Sequence, residues 1–382
     1  MKKKICISLV DRANYGRLKP LIFKLKEDGS FKIQIICSGA MLIGKYGKSI
    51  NTLKKDGLKI EQRIYSEIDG SQNLTMAKSI GLTTLEYSTV LEKLNPDYFL
   101  LIGDRYQALG SAIAAAYQNI PIIHLQGGEE TGTMDQYARH CITKLSHLHF
   151  PATKKARKNI IKLGEDSKHV FNFGCPSGDM ILKGKNKDIP KVINKIGVGS
   201  LIDFKKPYFT VVFHPDTINF KNRKKEINEV LLALNTIKQQ TIWLWPNIDA
   251  GSDYFSLKIR QFREKYKPKW LRLIKHLEPE DYINLLRNSK CLIGNSSSFI
   301  RDSSFMGVPS VVIGKRQIKR EHEKNVINIK CKINKIVSAI NNQTRKKFNS
   351  SKLYGDSNSS KKIIKQIKKF KPNLQKKLNY KN

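Results

Sequence analysis

The chain has 382 residues, of which 40% are hydrophobic and 27% charged, enough apolar material for two folded domains and too much for a disordered protein. The formal net charge of +38 suggests nucleic-acid binding, but the basic residues are mostly lysines spread along the chain, without zinc-finger spacing or an aromatic-basic signature. A solvated basic surface that attracts anionic metabolites is therefore favoured over a specific nucleic-acid-binding protein.

The cysteines and the N-terminus both indicate a cytoplasmic protein. None of the six cysteines forms a CxxC pair, and several lie inside apolar runs, where free cysteine behaves as a small hydrophobic residue. The apolar run at residues 5–10 ends at Asp11 and is too short for a signal peptide. Because no stretch reaches the roughly 18 apolar residues of a membrane span, we expect no membrane partner.

Twelve short apolar runs, each followed by a polar or glycine-rich turn, predict β-strands along the chain. In the first half these are residues 4–10, 31–38, 97–104, 120–126, 148–153 and 170–176. In the second half they are residues 207–215, 241–247, 271–277, 291–297, 309–314 and 325–329. Continuous apolar runs that alternate with helix-length segments are typical of parallel strands buried on both faces.

Two sets of such strands predict an α/β protein with two doubly wound, Rossmann-like domains. We expect an N-terminal domain over residues 1–180 and a C-terminal domain over 200–345, with the boundary inside the lysine-, glycine- and proline-rich segment 177–206. The apolar spacing of the last segment, 346–382, allows an amphipathic helix. A docked helix or a frayed tail is favoured there over a membrane anchor.

Ligands of open parallel sheets bind beyond the carboxyl ends of the strands, and the loop 294–302 is the most informative of these sites. It reads GNSSSFIRD and places Ser296 and Ser297 at a predicted helix N-terminus, where backbone N–H groups favour an anion. Arg316, after the next strand, can give two hydrogen bonds to a phosphate. Helix capping is the simpler explanation, but four consecutive cap-type residues favour a diphosphate site.

Another glycine-containing loop, 39–46, nearly matches a phosphate-binding P-loop. It carries Tyr46 where the magnesium-binding serine or threonine belongs, so a glycine-assisted turn is favoured over an ATPase site. No intact GxGxxG motif occurs either, which disfavours a nicotinamide-dependent dehydrogenase.

Carboxylates after the strands of the first half predict acid–base chemistry. Asp104 ends an almost wholly apolar strand, so its partial desolvation makes its pKa tunable toward general-base use. Asp135 and Arg139 form an i,i+4 pair on one predicted helix, for which a surface salt bridge is the simpler explanation. Two carboxylates in one cleft suit a reaction with oxocarbenium character.

Histidines and one further glutamate complete the candidates. Glu129 follows two glycines in a tight turn that lets a ligand approach the backbone. His214 ends the first strand of the second half, where a bond to a leaving phosphate and a purely structural role are equally compatible with the sequence. His147 and His149 share a strand face, but without a third ligand at a known spacing we expect no metal site.

Taken together, these motifs resemble the hydrolysing UDP-N-acetylglucosamine 2-epimerases of sialic-acid-type sugar synthesis. The resemblance extends from about residue 5 to about 330 and is carried by the segments 127–150, 174–179, 246–252 and 294–320. It implies a GT-B-like fold with the active site between the domains. It also implies a UDP-sugar substrate, elimination of UDP to a 2-acetamidoglucal, addition of water to give N-acetylmannosamine, no cofactor or catalytic metal, and a homodimer or higher oligomer.

The resemblance also implies roles for the candidate residues. Asp104 matches the catalytic carboxylate near C2, Asp135 a second acid/base group, Arg139 its partner at the sugar, and His214 the group that assists departure of the diphosphate. The implied nucleotide-binding residues are Arg12, Asn247, Ser296, Ser297, Asp302 and Arg316, with Asp302 in place of a glutamate that binds the ribose.

Two residues depart from the family pattern. Gln126 occupies the position of a catalytic glutamate in many relatives, so that role is missing, moved to Glu129 or unneeded here. Lys319 replaces a glycine next to Arg316. These departures leave open the same chemistry on a 2,4-diacetamido-2,4,6-trideoxy sugar, as in legionaminic acid synthesis. The sequence is also compatible with a GT-B glycosyltransferase, a non-hydrolysing epimerase or a nucleotide-sugar binder without turnover.

Overall fold

The N-terminal domain is built on a parallel sheet. The structure is a computed structural model that describes residues 2–47, 49–184, 192–218 and 220–380. The strands of this sheet are β1 (Lys3–Leu9), β2 (Phe31–Ser38), β3 (Gln62–Ile64), β4 (Tyr98–Ile102), β5 (Ile122–Leu125) and β6 (Leu148–Phe150). Their spatial order, β3-β2-β1-β4-β5-β6, is that of a doubly wound nucleotide-binding domain.

Helices cover both faces of this sheet. They are α1 (Arg12–Asp28), α2 (Ile50–Lys55), α3 (Asn73–Leu94), α4 (Tyr106–Tyr117), α5 (Asp135–Leu145), α6 (Lys154–Lys162) and α7 (Ser177–Lys183). Helix α1 begins because the Asp11 carboxylate accepts a hydrogen bond from the backbone N–H of Asn14. It ends at Gly29, whose φ of 67° is left-handed and costs glycine nothing.

The C-terminal domain repeats this plan. Its strands are β7 (Val198–Gly199), β8 (Phe209–Val212), β9 (Thr241–Leu244), β10 (Leu271–Ile274), β11 (Cys291–Gly294), β12 (Ser310–Ile313) and β13 (Val326–Ile329). Its helices are α8 (Val192–Ile196), α9 (Arg223–Ile237), α10 (Ser252–Tyr266), α11 (Pro279–Arg287), α12 (Ser298–Met306) and α13 (Ile333–Gln343). The order is β13-β12-β11-β8-β9-β10-β7, parallel except for β7.

Short 3-10 turns complete the chain. They are Gly39–Met41, Gly44–Tyr46, Ser167–His169 and Phe220–Asn222. The first two lie in the loop that nearly matches a P-loop, and Lys45 of that loop forms an ion pair with Asp253.

The predicted fold class is confirmed, but one predicted strand does not form, and two observed strands, β3 and β7, were not predicted. The run 170–176 forms isolated bridges at Val170 and Gly174 rather than a strand, since Gly174 has a φ of 83° and Pro176 has no N–H to donate. The sixth strand of the first sheet is instead β3, at the edge next to β2. Its three residues are too few and too polar to show in the sequence. Part of the predicted boundary segment, residues 185–191, lies outside the described residues.

The C-terminal segment returns to the N-terminal domain as helix α14 (Ser359–Lys369). Its buried side chains Ile363, Ile364 and Ile367 join the core beneath α1. The Asp179 carboxylate at α7 accepts hydrogen bonds from the backbone N–H groups of Ser359 and Ser360, which caps the helix. Within the described residues, no helix combines the length and apolarity needed to cross a bilayer.

We expect Ile367→Ala to destabilise the protein by about 2–5 kcal/mol, because the side chain is fully buried and its removal leaves a cavity. The matched control is Lys365→Ala on the exposed face of the same helix, expected to change stability by less than about 0.5 kcal/mol. Thermal unfolding followed by circular dichroism compares the two. Equal midpoints would contradict the docking of α14.

Candidate active site

A cleft lies between the carboxyl ends of the two sheets. Six residues singled out from the sequence line it. They are Arg12, His214, Asn247, Ser296, Ser297 and Asp302. The start of α1 forms one wall and the start of α12 the opposite wall. The cleft thus lies where ligands of parallel sheets usually bind, beyond the carboxyl ends of the strands.

Arg12 spans the cleft from the first turn of α1. Its guanidinium donates hydrogen bonds to the backbone oxygen of Trp245 (2.7 Å), the side-chain oxygen of Asn247 (3.4 Å) and the backbone oxygen of Lys275 (2.5 Å). All three acceptors are neutral oxygens, so these hydrogen bonds fix the position of the Arg12 guanidinium without neutralising its charge.

The wall opposite Arg12 is a helix N-terminus lined with hydroxyl groups. The Ser296 and Ser298 hydroxyls lie 2.9 Å apart, and Ser298 also contacts the Tyr282 hydroxyl at 2.5 Å. The strand before this helix ends at Gly294, which has a φ of 141°, and a Cβ atom there would lie 2.0 Å from the Val212 oxygen. Only glycine permits this close turn, which directs the start of α12 and its partial positive charge at the cleft.

His214 lies in the cleft as a neutral hydrogen-bond donor. The backbone N–H of Asn247 donates to its Nδ1 at 3.1 Å, which leaves the ring proton on Nε2. Burial, together with the charge of Arg316, lowers the pKa of His214 to about 3. The side chain of Asn295 bonds both the backbone N–H and the oxygen of His214, at 2.8 Å each, and fixes the strand end.

Asp104 forms an ion pair with Arg139. The Arg139 Nε donates to the Asp104 carboxylate at 3.1 Å, and the Arg139 Nη2 contacts the same oxygen. Burial raises the pKa of Asp104, but the charges of Arg139 and Arg320 outweigh it and hold the pKa below its usual range. Asp104 is therefore ionised at neutral pH and able to accept a proton.

Asp135 has the opposite tendency. Burial, with the nearby charges of Asp104 and Asp249, raises the pKa of Asp135 above its ordinary value, although Arg316 acts in the other direction. Two carboxyl groups in one cluster thus have pKa values displaced in opposite directions.

The partners of Arg139 and Arg316 differ from those that the sequence predicts. The i,i+4 spacing pairs Arg139 with Asp135, but Arg139 binds Asp104 and the backbone oxygen of Glu129 (2.7 Å). Asp135 instead contacts Arg316 at 3.3 Å, and Arg316 also contacts Asp249 at 3.1 Å. Arg316, predicted to bind the diphosphate, is thus engaged by carboxylates beside the cleft. The strong attraction between buried opposite charges accounts for both differences.

Glu129 joins the two domains. Its carboxylate accepts hydrogen bonds from Arg301 at 3.0 Å and from Arg320. Burial raises the pKa of Glu129, but the charges of these two arginines lower it further, so the net shift is downward. The Glu129 carboxylate is almost fully buried, and both of its ion-pair partners belong to the C-terminal domain. The geometry therefore favours a role for Glu129 in holding the domains together.

The two departures from the family pattern have defined conformations. Lys319 has a φ of 69°, so the loop keeps the left-handed backbone that a glycine would adopt, at a cost of about 1 kcal/mol. Gln126 has a φ of 63° and its side chain is buried.

Sequence reasoning missed several charged residues of the site. They are Arg17, Arg105, Asp249, Arg301 and Arg320. All lie in loops or helix starts just after predicted strands, and that position was their only signal in the sequence. The candidate metal ligand His149 instead lies 3.2 Å from Glu165, and within the described residues no group of three acidic, histidine or cysteine side chains could hold a metal ion.

Comparison with known proteins decides the family. The model of the UDP-N-acetylglucosamine 2-epimerase family matches residues 23–368, most of the chain. The chain belongs to this family. Hydrolysing members are among its relatives, including the UDP-N,N'-diacetylbacillosamine 2-epimerase (hydrolyzing) of Legionella pneumophila, with 32% identity over 96% of both chains.

Two further relatives are named for different sugars. The GDP/UDP-N,N'-diacetylbacillosamine 2-epimerase (hydrolyzing) of Campylobacter jejuni is 33% identical over 91% of this chain and 89% of its own. The UDP-N-acetylglucosamine 2-epimerase of Neisseria meningitidis is 28% identical over 89% of this chain and 87% of its own. The protein is thus similar to 2-epimerases named for two different sugars.

Solved structures share the fold. The Methanocaldococcus jannaschii UDP-GlcNAc 2-epimerase in complex with UDP-GlcNAc and UDP matches with a TM-score of 0.78, 17% identity, and coverage of 96% of this chain and 100% of that one. The Neisseria meningitidis enzyme bound to UDP-GlcNAc gives a TM-score of 0.77 at 16% identity, with the same coverage. The GT-B-like architecture of the 2-epimerases is therefore the architecture of this protein.

We expect Glu129→Gln to lower stability by about 3 kcal/mol, because it leaves two buried arginines without their carboxylate. The control is Glu130→Gln, which removes a partly exposed ion pair with Lys155 and is expected to cost less than about 1 kcal/mol. Thermal unfolding at pH 7 compares the variants. A loss for the control as large as that for Glu129 would contradict the assigned role.

The lowered pKa of His214 predicts a loss of stability in mild acid. The folded pKa of about 3 lies below the ordinary value of 6.5, so the unfolded chain binds the proton more readily. The contribution is complete above pH 6.5 and falls as the pH approaches 3, by about 2 kcal/mol at pH 5. His214→Asn should flatten the dependence of the thermal midpoint on pH between 7 and 5. An unchanged slope would show that His214 titrates normally.

Proposed function

We propose that this protein is a hydrolysing 2-epimerase that converts a UDP-linked 2-acetamido sugar into UDP and the free sugar inverted at C2. One observation carries the proposal: an ionised carboxylate, Asp104, and a carboxyl group with a raised pKa, Asp135, lie in one cluster beside a cleft built for an anion. A base and an acid at the sugar, next to donors for a leaving diphosphate, are the groups that this reaction requires.

The nucleotide end of the cleft supports this assignment. Arg12, the start of α12 at Ser296 and Ser297, and the Nε2–H of neutral His214 would donate to the diphosphate. Asp302, which lines the same cleft, would accept hydrogen bonds from the ribose. Asn247 would act through others, since its backbone sets the His214 tautomer and its side chain accepts from Arg12.

The first step that we propose is elimination. The Asp104 carboxylate takes the proton from C2, the C1–C2 double bond forms, and the electrons of the C1–O bond leave with the β-phosphate of UDP. Negative charge grows on the departing oxygen, so donors already fixed around it lower the barrier. Arg139 keeps Asp104 ionised before the transfer and orients it.

The second step is addition of water to the 2-acetamidoglucal. Asp135 would give its proton to C2 from the opposite face while the oxygen of water bonds to C1. The proton released by that water restores Asp135, and Asp104 returns its proton to solvent. The sum is UDP-sugar plus water to UDP plus the C2 epimer, and the raised pKa of Asp135 matches its role as the acid.

We propose UDP-N,N'-diacetylbacillosamine as the first substrate to test. The hydrolysing relatives at 32% and 33% identity, each over more than nine-tenths of this chain, are enzymes for that sugar. UDP-N-acetylglucosamine, with free N-acetylmannosamine as the product, is the second candidate, supported by the Neisseria meningitidis relative.

Proton NMR in heavy water tests the function. The purified protein is incubated in turn with UDP-N,N'-diacetylbacillosamine and UDP-N-acetylglucosamine. UDP and a free 2-epimer carrying deuterium at C2 establish the proposed chemistry, and the faster substrate identifies the sugar. A UDP-linked epimer, a transferred sugar or the absence of any product with both compounds would contradict the proposal.

We expect Asp104→Asn to reduce kcat by at least about a thousandfold while UDP still binds, because the amide cannot accept the C2 proton. The control is Asp97→Asn, an exposed aspartate on the other end of β4, which should keep full activity. Product formation gives kcat and titration calorimetry gives UDP affinity. Loss of UDP binding in Asp104→Asn, or substantial remaining turnover, would refute the role of Asp104.

A further inference from the structure

Gln126, at the end of β5, is the residue that the proposed chemistry leaves unused. Its side-chain oxygen accepts a hydrogen bond from Nη1 of Arg17 at 2.7 Å, and its side-chain nitrogen donates to Sγ of Cys175 at 2.8 Å. The residue is 2% exposed, and its φ of 63° is strained for a residue other than glycine. The two hydrogen bonds therefore hold the buried Gln126 amide in one orientation.

The other side of the amide is anchored beneath the nucleotide end of the cleft. The Cys175 Sγ lies 3.0 Å from the Ser177 hydroxyl, which donates to the Asp302 carboxylate at 3.2 Å. Burial raises the pKa of Cys175, so its sulfur remains a neutral thiol. The opposite orientation of the amide would turn its N–H₂ group toward Arg17, where two sets of donors would face each other.

Arg17 differs from the arginines of the acid–base cluster. It lines the cleft, and its guanidinium lies against Gly103, directly before Asp104. Its hydrogen-bond acceptors are the backbone oxygen of Ala13 (3.0 Å) and the Gln126 amide, and in the described part of the chain no ion pair involves it. Its positive charge is therefore held in the cleft by neutral oxygens.

The same distinction separates the other arginines around the cleft. Arg12 is held by neutral acceptors and projects into the cleft. Arg139, Arg301 and Arg316 are each bonded to a carboxylate. Within the described residues Arg12 and Arg17 thus form no ion pair, although Arg17 lies close enough for its charge to act on Asp104 and Asp302. The other three arginines are each paired with a carboxylate.

We propose that Gln126 is a positioning residue that orients Arg17 toward the diphosphate while leaving the charge of Arg17 available to it. This inference rests on the proposed function for the identity of the anion. A glutamate at this position would be close enough to form an ion pair with Arg17. The anion would then compete with an internal carboxylate, so the neutral amide is an adaptation of the site rather than a lost acid.

Titration calorimetry with UDP tests the proposal without requiring turnover. Gln126→Glu should raise the Kd for UDP by about tenfold, the equivalent of one charge-assisted hydrogen bond to phosphate. Gln126→Met removes the acceptor without adding charge, so its Kd should rise less. Gln375→Glu, at an exposed position in the tail, adds the same charge elsewhere and should leave the Kd unchanged.

A double-mutant cycle ties the effect to Arg17. In an Arg17→Met background, Gln126→Glu should cause no further loss of UDP affinity, because the cation that it neutralises is gone. Thermal unfolding verifies that each variant is folded. If Gln126→Glu fails to fold, Arg17→Met against Arg17→Lys remains decisive: a loss of UDP affinity in the first, recovered in the second, supports the proposal, and equal wild-type affinity in both overturns it.

Two results would overturn the inference directly. One is UDP affinity in Gln126→Glu that equals or exceeds that of the unmodified protein. The other is a higher kcat in Gln126→Glu, which would make the glutamine a missing proton-transfer group. A protein that binds UDP as described but forms no epimer refutes the proposed function and leaves the effect of Gln126 on UDP measurable, so the two failures are distinguishable.

Discussion

Ion pairs between the two domains, buried at the base of the cleft, are the interactions on which the site depends. The Glu129 carboxylate of the first domain binds Arg301 of the second, and Arg316 of the second contacts Asp135 of the first. Each of these charges is costly to remove from water unless its partner is present. The partner is present only when the domains meet, so the arrangement of the domains and the clustering of the buried carboxylates and arginines require the same contacts.

The same cluster makes two chemically identical groups different. Asp104 and Asp135 are both aspartates removed from bulk water, yet Asp104 is surrounded by arginine charge and Asp135 also faces other carboxylates. The pKa of Asp104 is lowered and that of Asp135 is raised, so the two carboxyl groups differ in how firmly each holds a proton. The epimerisation that we propose, which removes a proton from one face of a carbon and adds one to the other, would use this asymmetry.

Neutral groups have an equally specific place in the cleft. His214 is kept uncharged, with its proton on Nε2, and Arg12 and Arg17 are held by amide and backbone oxygens. In the function that we propose, fixed donors and arginines that form no ion pair would stabilise a diphosphate without first breaking an internal ion pair. For diphosphate binding in the proposed function, the overall basic charge of the chain therefore matters less than the positions of the few arginines that form no ion pair.

The sequence by itself determined the two-domain α/β fold, because continuous apolar runs alternating with helices are compatible with few other architectures. It also predicted residues that line the cleft, because the loops that follow the strands of a parallel sheet meet at one edge. Only the tertiary structure decided the pairing of charges. The i,i+4 spacing suggested that Asp135 pairs with Arg139. In the structure Asp135 contacts Arg316 and Arg139 contacts Asp104, and no local sequence pattern encodes contacts between residues so far apart in the chain. The contacts of Gln126 were hidden for the same reason: its partners come from α1 and from the segment before α7, and only folding brings them together.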